Sequence, residues 1–132
     1  MRWCATLATL TVVSLLAEPA CATQPPGLPK RIGTCVSSTV RAMGTRLEDG
    51  RGRPVPDSGV TVTLANGLIG ISYVPVPAVS NARPGDRVIA CLVRIPRHCP
   101  PGDDRGRYYT ATNLRTMESW TLPDSQHMCG GA

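Results

Sequence analysis

Hydrophobic and polar residues alternate with a period of two near the middle of the chain. Val60, Val62 and Leu64 are interleaved with Thr61 and Thr63, the pattern of a strand with one buried and one polar face. Asn66-Gly67 follows and predicts a tight two-residue hairpin turn with both residues at positive φ. Leu68 to Val74 (LIGISYV) returns as the partner strand, ended by Pro75 and Pro77. Upstream, Thr34 to Leu47 carries Thr and Val in partial alternation and reads as a first strand, with Gly44 as a bulge or bend. Between these strands, Glu48 to Gly59 is crowded with charge and turn formers, which predicts a surface loop.

Downstream, Pro84-Gly85-Asp86 marks another turn, and Arg87 to Ile95 (RVIACLVRI) is apolar enough to be a central strand. Pro96 to Arg107 is a long loop. Tyr108 to Thr112 and Thr116 to Leu122 predict a second hairpin through Asn113-Leu114-Arg115, and the tail from Pro123 is irregular. No amphipathic helix of useful length and no internal repeat is present. Five to six short strands with Gly- and Pro-rich turns predict an all-β domain, a small antiparallel barrel or sandwich. An oligonucleotide/oligosaccharide-binding type of Greek-key barrel and an immunoglobulin-like sandwich both satisfy that count.

The N-terminus changes the setting. Arg2 precedes an apolar run from Ala5 to Ala17, and Glu18-Pro19 then Ala20-Cys21-Ala22 give the break and the small-x-small site of a cleaved export signal. The run is too short to span a bilayer. Residues 1–22 are therefore assigned as signal peptide, 23–33 as an extended leader rich in proline and mobile over Thr23 to Pro29, and 34–132 as one β domain. Acylation of Cys21 is the competing reading, and Glu18 and Pro19 fit it poorly. Four cysteines remain, Cys35, Cys91, Cys99 and Cys129, an even number in an oxidising compartment, which predicts two disulfides. Cys91 with Cys99 and Cys35 with Cys129 is the favoured pairing of the three possible ones. A zinc site of these thiols with His98 or His127 is the alternative, and the spacings match no closed zinc motif.

The chain has no Phe and a formal net charge of +5, with every cation after the signal an arginine except Lys30. Guanidinium forks suit anionic partners, although arginine-rich coding spells surface cations the same way. The arginines are scattered, without the dense runs of a nucleic-acid binder. No haem, phosphate-loop or other cofactor motif occurs, so no cofactor and no metal is expected.

The loop Cys99 to Gly106 (CPPGDDRG) could offer Asp103 and Asp104 to a cation, with Arg105 as their ion-pair partner, but it lacks the ligand pattern of a calcium loop and reads more simply as a rigid connector. Asp124, Ser125 and His127 lie too close in sequence to converge as a catalytic triad. On the last hairpin, Tyr108 and Tyr109 must point to opposite faces, one into the core. Trp120 is expected to fill the core in place of the missing Phe. Arg105, Arg107, Tyr108, Tyr109 and Arg115 form the predicted binding surface, because aromatics and arginine dominate contact hot spots.

The segments CLVRIPRHCPPGDDRGRYYTATNLRT and PDSQHMCGGA resemble small exported proteins of Gram-negative bacteria that carry no assigned activity. The resemblance covers roughly residues 85–132 and implies a periplasmic setting, with no active site to carry over. The SGxxxY-type signature of periplasmic lysozyme inhibitors is missing. Taken together, the residues predict a non-enzymatic exported domain that binds an envelope protein, a hydrolase or an anionic glycan. The alternatives are a small hydrolase using His98 or His127 with an Asp, and an accessory subunit that pairs through a strand edge. No nucleic-acid partner and no transmembrane segment are expected.

Overall fold

A computed structural model describes residues 26–131. The predicted signal segment lies outside them. Six strands form one antiparallel sheet: β1 (Cys35–Thr45), β2 (Val60–Leu64), β3 (Ile69–Ser72), β4 (Arg87–Arg94), β5 (Tyr108–Asn113) and β6 (Ser119–Pro123), in the order β3-β2-β1-β4-β5-β6. Two meanders are thus joined through the β1–β4 pair. The connection from β3 to β4 carries a four-residue helix, α1 (Pro77–Ser80), which buries Ala78 and Val79 against β1, β2 and β6. The all-β expectation holds. The architecture is a single curled sheet, a half-barrel, rather than two stacked sheets.

The curl has two visible causes. β1 is long and pairs with β4 through Cys35 to Thr39 and with β2 from Val40 onward. Its register shifts between Val40 and Ala42, so the bend sits at Arg41, where the strand changes partner. The expected bulge at Gly44 is not found, because Gly44 pairs in register with Thr61. β4 carries a second shift between Leu92 and Arg94. These bends bring β3 and β6 within 8 Å of each other, Cα to Cα. There Gly70 lets the edges meet: a Cβ on it would stand 3.2 Å from Leu122 Cδ1. That gap is narrower than the two interstrand spacings, about 4.8 Å each, that an inserted strand would need.

The concave face holds the core of Val40, Val62, Leu64, Leu68, Val88, Ala90, Leu92, Tyr109, Ala111, Trp120 and Leu122. Trp120 is buried, as the missing Phe suggested, and Tyr109 rather than Tyr108 is the inward tyrosine. The hairpin at Asn66-Gly67 differs from the two-residue form. Gly67 alone has positive φ, and the N–H groups of Gly67 and Leu64 donate to the carbonyls of Leu64 and Leu68, which makes a three-residue loop with glycine at its left-handed position. The leader is not free at its end, since Pro29 is buried and the Gly33 N–H donates to Leu92 O.

Two disulfides are present, and their pairing is Cys35–Cys91 and Cys99–Cys129, which corrects the favoured assignment. Antiparallel pairing sets Cys35 directly opposite Cys91 on the convex face. Past Cys91, β4 runs on extended to Arg94 and carries Cys99 away from it, toward the tail.

Candidate functional site

The five residues predicted to form one surface are divided by strand β5. Arg105 and Arg107 precede it and Arg115 follows it, so they lie at opposite ends of a six-residue strand. Tyr109 points into the core between them, 3% exposed, which removes its ring from any contact surface. Each of the three arginines is already committed to a carboxylate of this chain. Arg105 meets Asp103 at 2.8 Å, Arg107 meets Asp104 at 2.9 Å, and Arg115 donates through Nε and Nη2 to Asp86.

The Arg115 end is structural in character. Asp86 is 8% exposed and also accepts from the Arg83 N–H and from Nδ2 of the fully buried Asn113, while Arg115 Nη2 reaches Asn81 O. This network ties the end of α1 to the start of β4 and to the β5–β6 loop. The guanidinium of Arg115 and the Asn113 amide hold the Asp86 carboxyl well below the usual carboxylate range. Asp103 is depressed in the same way by Arg105 and by the Gly130 N–H. A carboxylate whose folded pKa is lowered stabilises the fold fully above its unfolded value of about 3.9, and that contribution is lost as pH falls below it. Urea midpoints should therefore fall between pH 5 and pH 2, and Asp86→Asn should flatten that dependence; an unchanged slope in the variant contradicts the assignment.

At the other end, Pro101 to Arg105 with Asp124 and Ser125 line an open concavity of about 540 Å³. Its acids are engaged. Asp103 is held by Arg105 and the Gly130 N–H, and Asp124 Oδ1 accepts from the N–H groups of Gly106 and Arg107. No group of acids, histidines and cysteines suited to a metal ion occurs among the described residues. Burial pushes the Asp124 carboxyl up, against the lowering effect of its two backbone donors. An acid with a raised folded pKa is a liability once ionised, and the liability vanishes when pH falls through the unfolded value. Asp124→Asn keeps the accepting oxygen and removes the charge. It should raise the melting temperature at pH 7 and leave it unchanged near pH 3, measured against the parent at each pH.

No relay assembles around the histidines. His98 and His127 are both exposed, and among the described residues no hydrogen bond joins either ring to an acid or a hydroxyl. The Ser125 hydroxyl donates instead to the main-chain oxygen of His127. Asp124, adjacent in sequence, serves the Gly106 and Arg107 amides.

A different cleft gathers unpaired chemistry. Ile32, Arg94, Ile95, Pro96, Arg97, Met128 and Cys129 enclose about 530 Å³ at the far end of β4. The Arg31–Thr34 turn brings in Ile32, and the Cys99–Cys129 bond brings in Met128. Arg94 lies over the half-buried ring of Tyr108 at 3.7 Å, so Tyr108 is the one predicted contact residue that borders this cleft. Neither Arg94 nor Arg97 has a carboxylate of the described residues within 4.0 Å. Ile32 is 60% exposed and Met128 42%. The sequence does hold a trace of the site in Arg94-Ile95-Pro96-Arg97, two cations flanking an apolar pair at a strand end. Ile32 and Met128 reach it only through the fold.

Among the described residues no helix is long and apolar enough to cross a membrane, and the two disulfides fit an oxidising, extracytoplasmic environment. No protein-family model, curated protein or solved structure matches this chain.

Proposed function

We propose that this domain is a non-enzymatic binding module of the periplasm or cell exterior, and that it holds another macromolecule through the Arg94–Arg97 cleft. The observation that carries this reading is the pairing of two arginines lacking an acidic partner with an exposed apolar floor. Four loop arginines, Arg53, Arg105, Arg107 and Arg115, are neutralised by aspartates of this chain. Arg51 and Arg83 also lack such a partner, but Arg94 and Arg97 line a cleft together with exposed Ile32 and Met128. A desolvated apolar centre with guanidinium groups at its rim is the chemistry of an interface hot spot. The exposed, unlinked histidines favour binding over hydrolysis.

A photo-crosslinking residue at position 96, which lines the cleft beside both arginines, introduced into the exported protein in its native envelope, tests the reading. A discrete adduct should form with the parent, and Arg94→Glu together with Arg97→Glu should reduce partner recovery at least about tenfold, equivalent to about 1.4 kcal/mol. Arg51→Glu, in an exposed loop, should leave recovery unchanged. Equal loss in both variants, or no adduct at all, overturns the reading.

A further inference from the structure

The ligand of this cleft can be narrowed from the backbone that borders it. β4 is flanked by β1 only as far as Leu92, whose N–H and C=O meet Thr34 O and the Gly33 N–H. Beyond that point the opposing chain turns away at Arg31 to Thr34, and Ile32 stands across an open space from Ile95. Ile95 lies outside every strand, and its N–H makes no main-chain hydrogen bond. The cleft is thus a short free strand edge with an apolar wall. This differs from the β3–β6 gap, where the edges stand too close for a third strand.

Two side-chain classes, cationic and apolar, border this edge. Arg94 pairs with Tyr108 and shares its convex face. Ile95 follows directly, and successive residues of an extended chain take opposite faces. A strand laid beside them would present its own side chains alternately to the same two faces. Acidic residues on the convex face would meet Arg94, and apolar ones on the other face would meet Ile95, with Ile32 and Met128 lining the same cleft. Arg97, past Pro96 at the bend, adds a second cation at the end of the edge.

We infer that, if the proposed cleft is the binding site, its ligand is an extended peptide segment of a partner protein, alternating acidic and apolar residues and added as a strand beside β4 past Leu92. Peptide addition to a free edge draws affinity from main-chain hydrogen bonds and specificity from alternate side chains. The cleft is less suited to the other anions considered. A planar lipid surface cannot follow a concavity. A glycan gains most from stacking on an open aromatic face, and Arg94 covers the Tyr108 ring.

The test uses the whole mature domain and a fluorescein-labelled hexapeptide of alternating glutamate and leucine, read by anisotropy. The peptide should bind saturably. Methylating its backbone nitrogens, replacing its glutamates with lysine, or using the Arg94→Glu/Arg97→Glu domain should each weaken binding at least tenfold. Ile32→Ser, at an exposed position away from the core, should weaken it with unchanged thermal unfolding. Equal binding of the N-methylated peptide overturns strand addition. Displacement of the peptide by heparin or phosphatidylglycerol vesicles, with tighter binding than the peptide itself, overturns the peptide assignment. Absence of peptide binding while position 96 still crosslinks in the envelope overturns this inference and leaves the broader reading standing. Absence of both removes both.

Discussion

Alanine at Gly59 is expected to cost this domain about 4 kcal/mol, a large share of the roughly 5–15 kcal/mol that holds a small domain folded. Gly59 has φ +97, and its amide plane sits where three strands converge. Its carbonyl accepts from the Arg46 N–H at the end of β1, and the next residue, Val60, pairs with Ser72 of β3. A Cβ there would overlap the main-chain oxygen of Ser72 and stand 2.7 Å from the Tyr73 main chain. Backbone cannot swing aside as a side chain can, so β3 must move. The left-handed conformation adds roughly 1–2 kcal/mol for any L side chain. Gly52→Ala separates the two effects, since Gly52 has φ +74 with nothing within 4 Å of the added methyl. It should lose only about 1 kcal/mol. Urea midpoints of the two variants decide the matter: equal losses would mean that the close approach at Ser72 is of no consequence.

Period-two alternation is enough to place β2, because one-sided burial leaves that signature in local sequence, and a continuous apolar run places the central strand β4. Register leaves no such signature. The bend at Arg41 exists because β1 serves β4 and β2 in turn, a property of three strands together. The disulfide pairing is hidden in the sequence for the same reason: Cys35 and Cys91 are neighbours only once β1 and β4 are in register. Which arginines are already paired is equally invisible in local sequence. Arg105, Arg107 and Arg115 look available in a list of residues, yet each has a carboxylate partner, and for Arg115 that partner, Asp86, lies 29 residues away. Arg94 and Arg97 leave only a faint trace in sequence, an apolar pair between two cations. What the fold adds to their lack of an acidic partner is the company of Ile32 and Met128.

Removing the two disulfides one at a time should expose how differently they act. A chain-entropy argument gives nearly equal values, about 4 kcal/mol for each, because loop length enters only as a logarithm and the sequence separations are 56 and 30. The native contexts break the tie. Cys35–Cys91 links strands that pair along five residues at the centre of the sheet, and those strands stay ordered without it. Cys35→Ala with Cys91→Ala therefore loses the full effect on the unfolded chain, about 4 kcal/mol. The second bond holds a tail whose other anchors are exposed hydrogen bonds, among them the Cys129 N–H on Arg105 O, the Gly130 N–H on Asp103 Oδ2, the Tyr73 hydroxyl on Gln126 O, Arg46 Nη1 on Gln126 Oε1 and Arg105 Nη2 on Gly131 O. Without the bond, this tail can detach while Trp120 and the core stay packed, so the native state regains part of the entropy that the unfolded chain gains. Cys99→Ala with Cys129→Ala should then cost less than 4 kcal/mol in global unfolding, followed by Trp120 fluorescence. The same variant should show fast amide exchange at Cys129→Ala and at Gly130, and it should lose the Met128 wall of the cleft. A larger global loss from this pair than from Cys35 and Cys91, or slow exchange persisting in the tail, would mean that the C-terminal segment is an integral part of the core.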